Sequence, residues 1–441
     1  MDTSSDPLLP ETHGPIPKDR FHLVYMIFCL LGLGALIPWN FFITANAYFK
    51  YKLRNTTVSE QQYLEPQYET QLQTMFEGYL TVASTVPNLA FNFITAMLIS
   101  RIGLKVRMVT ALVLMITIFL VTVILVKMDT DTWQPTFFWI TMVSCVLINI
   151  GSSILSTSLF GLASLFPGKY MQAVMSGQAL GGVFAAISNL VTLSVGSGVI
   201  LSGLSYFLIA LFTIAVSLIG FASLYCIDYS RYHILEIGET FNVQVNGVNG
   251  EDSIDTVNTQ KGCFQTKLIL KRVWKEGLSV CIVFLVTLSC YPAISSSIMS
   301  LSTGNTEWLE KYFTALVCFL LMNCGDYAGR IISGYLKWPK FGQSNMLLIL
   351  ALLRVAFIPL LMYCNVQPRS DPVVFNSDIY PVVFILLLGL TNGHFGTLAM
   401  MYGPGKVMPD QAERTGAIMS SFLTTGLVIG SLLAILLMKA L

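Results

Sequence analysis

One stretch of this chain, CFLLMNCGDYAGRIISGYL, holds an acid and a guanidinium in otherwise apolar surroundings. Asp326 and Arg330 stand four residues apart, so on a helix they share a face and can partly neutralise each other. Phe319 and Asn323 fall on the same stripe at helical spacing. Charged side chains inside apolar helices are costly and mark function by default. Two readings of the stripe are open. It is a structural ion pair that locks two helices, or it is a polar ligand site in a water-filled cavity. In the second case Arg330 offers a fork of N–H donors, and Asp326 offers acceptors suited to hydroxyl groups.

A second face lies in LGLGALIPWNFFITA, residues 31–45, where Leu36, Trp39, Asn40 and Ile43 recur at i, i+3, i+4 and i+7. Pro38 removes a backbone donor and crowds the preceding turn, which predicts a kink and a freed carbonyl. Trp39 reads either as an interfacial anchor or as a flat aromatic turned to a solute. Beside an amide, and across a cavity from an acid and an arginine, it would suit a planar, hydroxylated molecule. The stretch NIGSSILSTSLFG crowds hydroxyls, most of them packing devices, but Ser152 and Ser156 share a face that could line a cavity. The pairs Gly177/Gly181, Gly389/Gly393 and Gly426/Gly430 are spaced for close helix contact. Arg354 lies partway into its apolar run and is expected to pair or to snorkel.

Catalytic and metal chemistry find little support. His13, His22, His233 and His394 are scattered, without the acids that a membrane metalloenzyme or intramembrane hydrolase needs. Most of the nine cysteines sit in apolar runs with no CxxC, and are expected as small buried hydrophobes rather than disulfides or ligands. Neither an enzyme, a cofactor nor a metal site is expected.

The elements that must position these residues follow from composition. The chain is 54% apolar and only 11% charged, where a soluble domain carries roughly a quarter charged residues. Its mean hydropathy is +0.68. This is an all-α polytopic membrane protein with the lipid bilayer as its surroundings. A net charge of +1 argues against nucleic acid as a partner. Runs long enough to cross the bilayer fall at about 21–47, 78–100, 105–127, 136–165, 170–196, 200–227, 272–299, 311–336, 344–364, 379–402 and 413–439. The first twenty residues are polar, unlike the core of a cleaved leader, so the first run is expected to be a true span. The longest polar break, 228–271, reads as a loop that divides a six-span bundle (21–227) from a five-span bundle (272–441).

Orientation follows from charge. With the N-terminal tail (1–20) in the cytosol, only Lys50, Lys52, Arg54, Lys127, Lys311, Arg369 and Lys439 face the opposite side, and the remaining loop cations face the cytosol. That side also receives the sequon at Asn55, where glycosylation occurs, and the C-terminus is expected to be lumenal or extracellular.

Several long motifs, in order from about Asp19 to the C-terminus, resemble the equilibrative nucleoside transporter family. They are PWNFFITA, SLFGLASLFP, SGQALGG, NCGDYAGR, TNG and TGAIMSSF. The resemblance implies a major-facilitator-like 6+5 arrangement and facilitated diffusion of nucleosides, with nucleobases as further cargo, by alternating access. By position it implies a substrate site lined by Leu36, Trp39, Asn40, Ile43, Thr85, Asn88, Ser152, Ser156, Tyr291, Phe319, Asn323, Asp326, Arg330 and Val428. Asp326 and Arg330 would take the ribose hydroxyls, and Arg107 matches a cytoplasmic-side gating arginine. The chain also departs from the plasma-membrane members. Ser156 stands where they carry a base-contacting Gln, and Ser152 where they carry Gly, so weak sensitivity to thioinosine-type inhibitors is expected. The acid that would partner Arg107 has moved from the position of Arg414 to Glu413.

These departures, with FEGYLTVASTVP, are more similar to the lysosomal branch, which implies a late endosomal or lysosomal membrane and activity favoured at acid pH. Thr192 replaces an aspartate of that branch, and Glu77 is a second candidate titrating group. SSDPLLPE resembles a dileucine signal for sorting adaptors around Leu8 and Leu9, although Ser4 occupies the usual acidic position. A monomer is expected. The alternatives are a plasma-membrane facilitator and a proton-coupled symporter of the same fold, the latter motivated by Asp326 and Glu77.

Overall fold

In a computed structural model the described residues are 17–57, 68–195, 198–236, 254–301, 312–367 and 373–440. Among them, eleven helices are long and apolar enough to cross a membrane. They are α1 (Leu23–Thr44), α2 (Gln71–Leu98), α3 (Leu104–Lys127), α4 (Gln134–Ser164), α5 (Gly168–Val195) and α6 (Val199–Leu224). The remaining five are α7 (Ile254–Cys290), α8 (Thr314–Tyr335), α9 (Ser344–Met362), α10 (Ile379–Tyr402) and α11 (Pro409–Ala440). The first five turns or so of α7 and the first two of α2 aside, each matches an apolar run of the sequence.

Two starts differ from the hydropathy reading. Helix α2 begins at Gln71, about two turns early, because Thr70 and Gln73 form a reciprocal capping box. Helix α7 begins at Ile254, well inside the break expected as a loop, and that break also holds helical turns at Asp228–Arg231 and Tyr232–Glu236. Hydropathy marks only the bilayer-spanning part of a helix. The buried Ile269 and Val273, four residues apart, carry α7 past it.

Helices α1–α6 pack mainly on one another, as do α7–α11. The two sets meet where α2 and α4 lie against α11, and where α5 lies against α8 and α10. Small residues permit the tight crossings. A Cβ at Gly177 would lie 1.9 Å from Cys29 O in α1, and one at Gly393 would lie 2.0 Å from Asp326 O in α8. The spaced glycines are therefore packing devices, as expected. Val113, Leu120 and Ile124 of α3 and Leu208, Phe212 and Ile219 of α6 are exposed, an apolar surface for lipid.

Contacts between helix ends show which ends lie together. Asp19 caps α1 through Val24 N and Tyr25 N, at 3.1 and 3.3 Å, and accepts from Tyr170 OH of α5 at 3.0 Å. This near end also holds the starts of α3 and α11. At the far end Arg54 pairs with Asp131 at 3.1 Å.

Helix α1 continues through Pro38 to Thr44, with a turn at Ala45. Cys145, Cys281, Cys290, Cys318 and Cys364 are buried, as expected, whereas Cys324 lies exposed on the outward face of α8. None of the described cysteines is in a disulfide.

Candidate functional site

The stripe on α8 is turned inward. Asp326 and Arg330 are both buried, and Arg330 Nε and Nη2 reach Asp326 Oδ2 at 3.0 and 2.8 Å. Asn392 Nδ2 of α10 donates to Asp326 Oδ1 at 2.6 Å. Arg330 Nη1 crosses to the other helix set and donates to Met175 O of α5 at 2.6 Å. One turn away, Asn323 Nδ2 donates to Tyr291 OH at 3.1 Å, and the Tyr291 ring meets Phe319 edge-on at 6.0 Å. Tyr291, Phe319, Asn323, Asp326 and Arg330 therefore form one contiguous group.

The face on α1 approaches it through α5. A Cβ at Gly181 would lie 3.4 Å from Asn40 Nδ2, and one at Gly182 would lie 2.1 Å from Asn323 Oδ1. The tandem glycines thus let an amide from α1 and an amide from α8 close on the same turn of α5. Trp39 stacks on Phe42 with centroids 6.4 Å apart. Leu36, Trp39 and Asn40 are half-buried, and Ile43 is exposed. Thr85, Asn88, Ser156 and Val428 are also half-buried.

Other expected residues stand elsewhere. Ser152 is buried, and its hydroxyl donates to Ala35 O of α1 at 2.8 Å, so it fastens two helices rather than lining open space. Glu77 lies at the far end, bound by Lys50 Nζ at 2.8 Å and Asn46 Nδ2 at 2.9 Å. Thr192 Oγ1 meets Tyr206 OH at 2.5 Å within the first helix set. Asn55 Oδ1 accepts from Thr57 N and Oγ1 at 3.0 and 2.7 Å. Leu8 and Leu9 lie outside the described residues.

At the near end the two sets are fastened. Arg107 of α3, 3% exposed, pairs with Glu413 of α11, so the shifted acid meets the arginine. Asn92 of α2 donates to Ser420 Oγ and Thr424 Oγ1 of α11, each at 3.0 Å, and accepts from Ser421 Oγ at 2.8 Å. Gln172 Nε2 of α5 donates to Arg330 O and Ile331 O at 3.1 and 3.2 Å. The sequence reading passed over Asn92 and Gln172. An amide inside an apolar span was the available signal for Asn92.

Arg354 neither snorkels nor contacts a carboxylate. It is 2% exposed and directs its donors at Thr391 Oγ1, Val283 O, Thr287 Oγ1 and Leu388 O. Among the described residues no cluster of His, Cys, Asp or Glu could hold a metal ion.

The polar group thus draws on both packed helix sets. A family model described as nucleoside transporter matches residues 142–439. Equilibrative nucleoside transporter 3 of Rattus norvegicus is 38% identical, over 96% of this chain and 90% of its own length. The chain belongs to the equilibrative nucleoside transporter family. Equilibrative nucleoside transporters 1 and 2 of Homo sapiens are each 34% identical, over 95% and 96% of this chain and 98% of their own lengths. The fold is of the major facilitator type expected for such a transporter. The proton:xylose symporter XylE superposes with a TM-score of 0.59 at 13% identity, covering 93% of this chain and 86% of its own. The human organic anion transporter MFSD10 superposes at 0.52 and 11% identity, with 94% and 93% covered. Family membership points to a transporter and not to an enzyme.

Proposed function

We propose that this chain carries nucleosides such as adenosine and uridine down their gradient by alternating access. Helices α1–α6 rock against α7–α11 about the group centred on Asp326 and Arg330. The observation that carries this reading is the Arg330 guanidinium, which binds Asp326 in one set and Met175 O in the other. A nucleoside presents vicinal hydroxyls, which donate to a carboxylate and accept from a guanidinium. Trp39, Tyr291 and Phe319 supply aromatic rings against which its flat base can stack. The Arg107–Glu413, Asn92 and Gln172 contacts support a state closed at the near end, which the charge bias assigns to the cytosol.

The similarity to the lysosomal branch and the dileucine-like tail support an endolysosomal location with transport favoured on the acid side. The test is uptake of radiolabelled adenosine and uridine into oocytes, with Leu8→Ala and Leu9→Ala directing the protein to the surface. Saturable uptake that rises as the outside is acidified is expected. Uptake no greater than in uninjected cells, at every pH from about 5 to 8, overturns the proposal.

A further inference from the structure

The strongest feature that nucleoside binding does not absorb is the second buried arginine. A guanidinium taken from water without a contacting carboxylate is costly, so what Arg354 sustains is the question. Its Nη2 donates to Thr287 Oγ1 at 2.8 Å, and Thr287 Oγ1 lies 2.8 Å from Asn392 Oδ1. Asn392 Nδ2 in turn lies 2.6 Å from Asp326 Oδ1. Four side chains from α9, α7, α10 and α8 therefore form one chain of hydrogen bonds ending on the carboxylate proposed to read the sugar.

The direction of that chain is fixed by chemistry. Arginine only donates, so Thr287 must accept from it. Thr287 has one proton, with Val283 O at 2.9 Å and Asn392 Oδ1 at 2.8 Å as its acceptors. Arg354 Nη1 already serves Val283 O at 2.6 Å, which leaves the threonine proton for Asn392. Were it turned away, two acceptor oxygens would face each other. Turning the Asn392 amide over would only move that clash onto the Asp326 carboxylate oxygen, already the acceptor of Asn392 Nδ2. With every donor in place, the Asn392 N–H points at Asp326 Oδ1 while Arg330 holds Oδ2.

We infer that Arg354, Thr287 and Asn392 are positioning residues that fix the Asp326 carboxylate for a substrate hydroxyl. This inference rests on the nucleoside-transport reading. The relay pins Asp326 within the α7–α11 set and leaves Arg330 as the member that reaches across to α5. A carboxylate fixed in advance binds a hydroxyl without reorganising, so loss of the relay weakens binding of hydroxylated sugars in particular.

The test compares uridine with 2′,3′-dideoxyuridine in proteoliposomes. Thr287→Val keeps the shape of the side chain and removes the relay proton. It is expected to raise the uridine KM about ten-fold, the worth of one hydrogen bond to a charged group. The maximal rate should stay within about two-fold and the dideoxyuridine KM should not change. Thr287→Ser, which restores the hydroxyl, should return the uridine KM to its starting value. Arg354→Lys keeps the charge but cannot serve Val283 O and Thr287 Oγ1 together, and should show the same selective loss. Equal losses for the two nucleosides, no loss for uridine, or failure of Thr287→Ser to rescue overturns the relay. An unsubstituted protein that does not transport uridine overturns the transport reading instead.

Discussion

Exchanging Glu413 for Gln keeps the size of the side chain facing Arg107 and deletes its charge. The Arg107 guanidinium is 3% exposed, and its Nε and Nη1 have no other hydrogen-bond partner in the closed near end. Removing one member of a fully buried pair costs about 3–5 kcal/mol. The Glu413 side chain is 30% exposed, so water relieves part of that loss, and about 1–2 kcal/mol is the expected destabilisation of the closed state. That corresponds to about a five- to thirty-fold shift toward opening. Ser164 of α4 reports on it, because its hydroxyl lies 2.2 Å from where a Cβ on Gly416 of α11 would stand. In a background with Cys226, Cys263 and Cys324 replaced by Ser, Ser164→Cys should react with an impermeant maleimide from the near side. Adding Glu413→Gln should speed that reaction by the same factor. Replacing both partners, as Arg107→Met with Glu413→Leu, should restore slow labelling because neither buried charge remains. Unchanged labelling in Glu413→Gln, or equally fast labelling in the double variant, would show that this pair does not hold the seam.

Arg330→Ala should nearly abolish uridine uptake while the protein still elutes as a folded species on size exclusion, since Asn392 Nδ2 still donates to Asp326 Oδ1; an aggregated product would favour the structural-lock reading. Gly177→Ala places a methyl group 1.9 Å from Cys29 O and should lower the melting temperature by several degrees, as overpacking costs about 1–3 kcal/mol; an unchanged melting temperature would refute the close crossing of α1 and α5. His233, just past α6, stacks on Phe166 at 4.8 Å, and burial holds its pKa below the ordinary 6.5. The unfolded chain then takes up the proton first, so stability is full above about 6.5 and is lost as pH falls through that value toward the folded pKa. The melting temperature should therefore drop between about pH 7.5 and 5.5, and His233→Phe should remove that part of the drop; an equal drop in both proteins would assign it to another group.

What the sequence made legible depended on whether a feature is local. The eleven helices and the Asp326–Arg330 pair are local, set by hydropathy over one span and by spacing over one turn. The tight crossings were readable because a small residue every fourth position has one structural use in such helices. The relay was not readable. Asn392 shows only as part of TNG, and Thr287 as an ordinary hydroxyl in α7, because their partners lie on other helices. Arg354 was visible as a charge, but its acceptors are backbone carbonyls and hydroxyls that no spacing rule reveals. Ser152 and Ser156 share a helix face, yet tertiary packing turned one hydroxyl onto Ala35 O and left the other half-buried. Arg107 and Glu413 were paired only through the family resemblance, since more than three hundred residues separate them.

The shortest hydrogen bonds between α5 and α8 have main-chain acceptors: Met175 O receives Arg330, and Arg330 O and Ile331 O receive Gln172. A carbonyl on the backbone survives every side-chain replacement. Systematic substitution should therefore find Ile331 tolerant, while Arg330 and Gln172 score as sensitive, and the acceptor half of the Gln172 fastening would escape the genetics. Under selection this seam can drift only at its donors, Arg330 on α8 and Gln172 on α5, so each helix keeps its register against the other's fixed backbone.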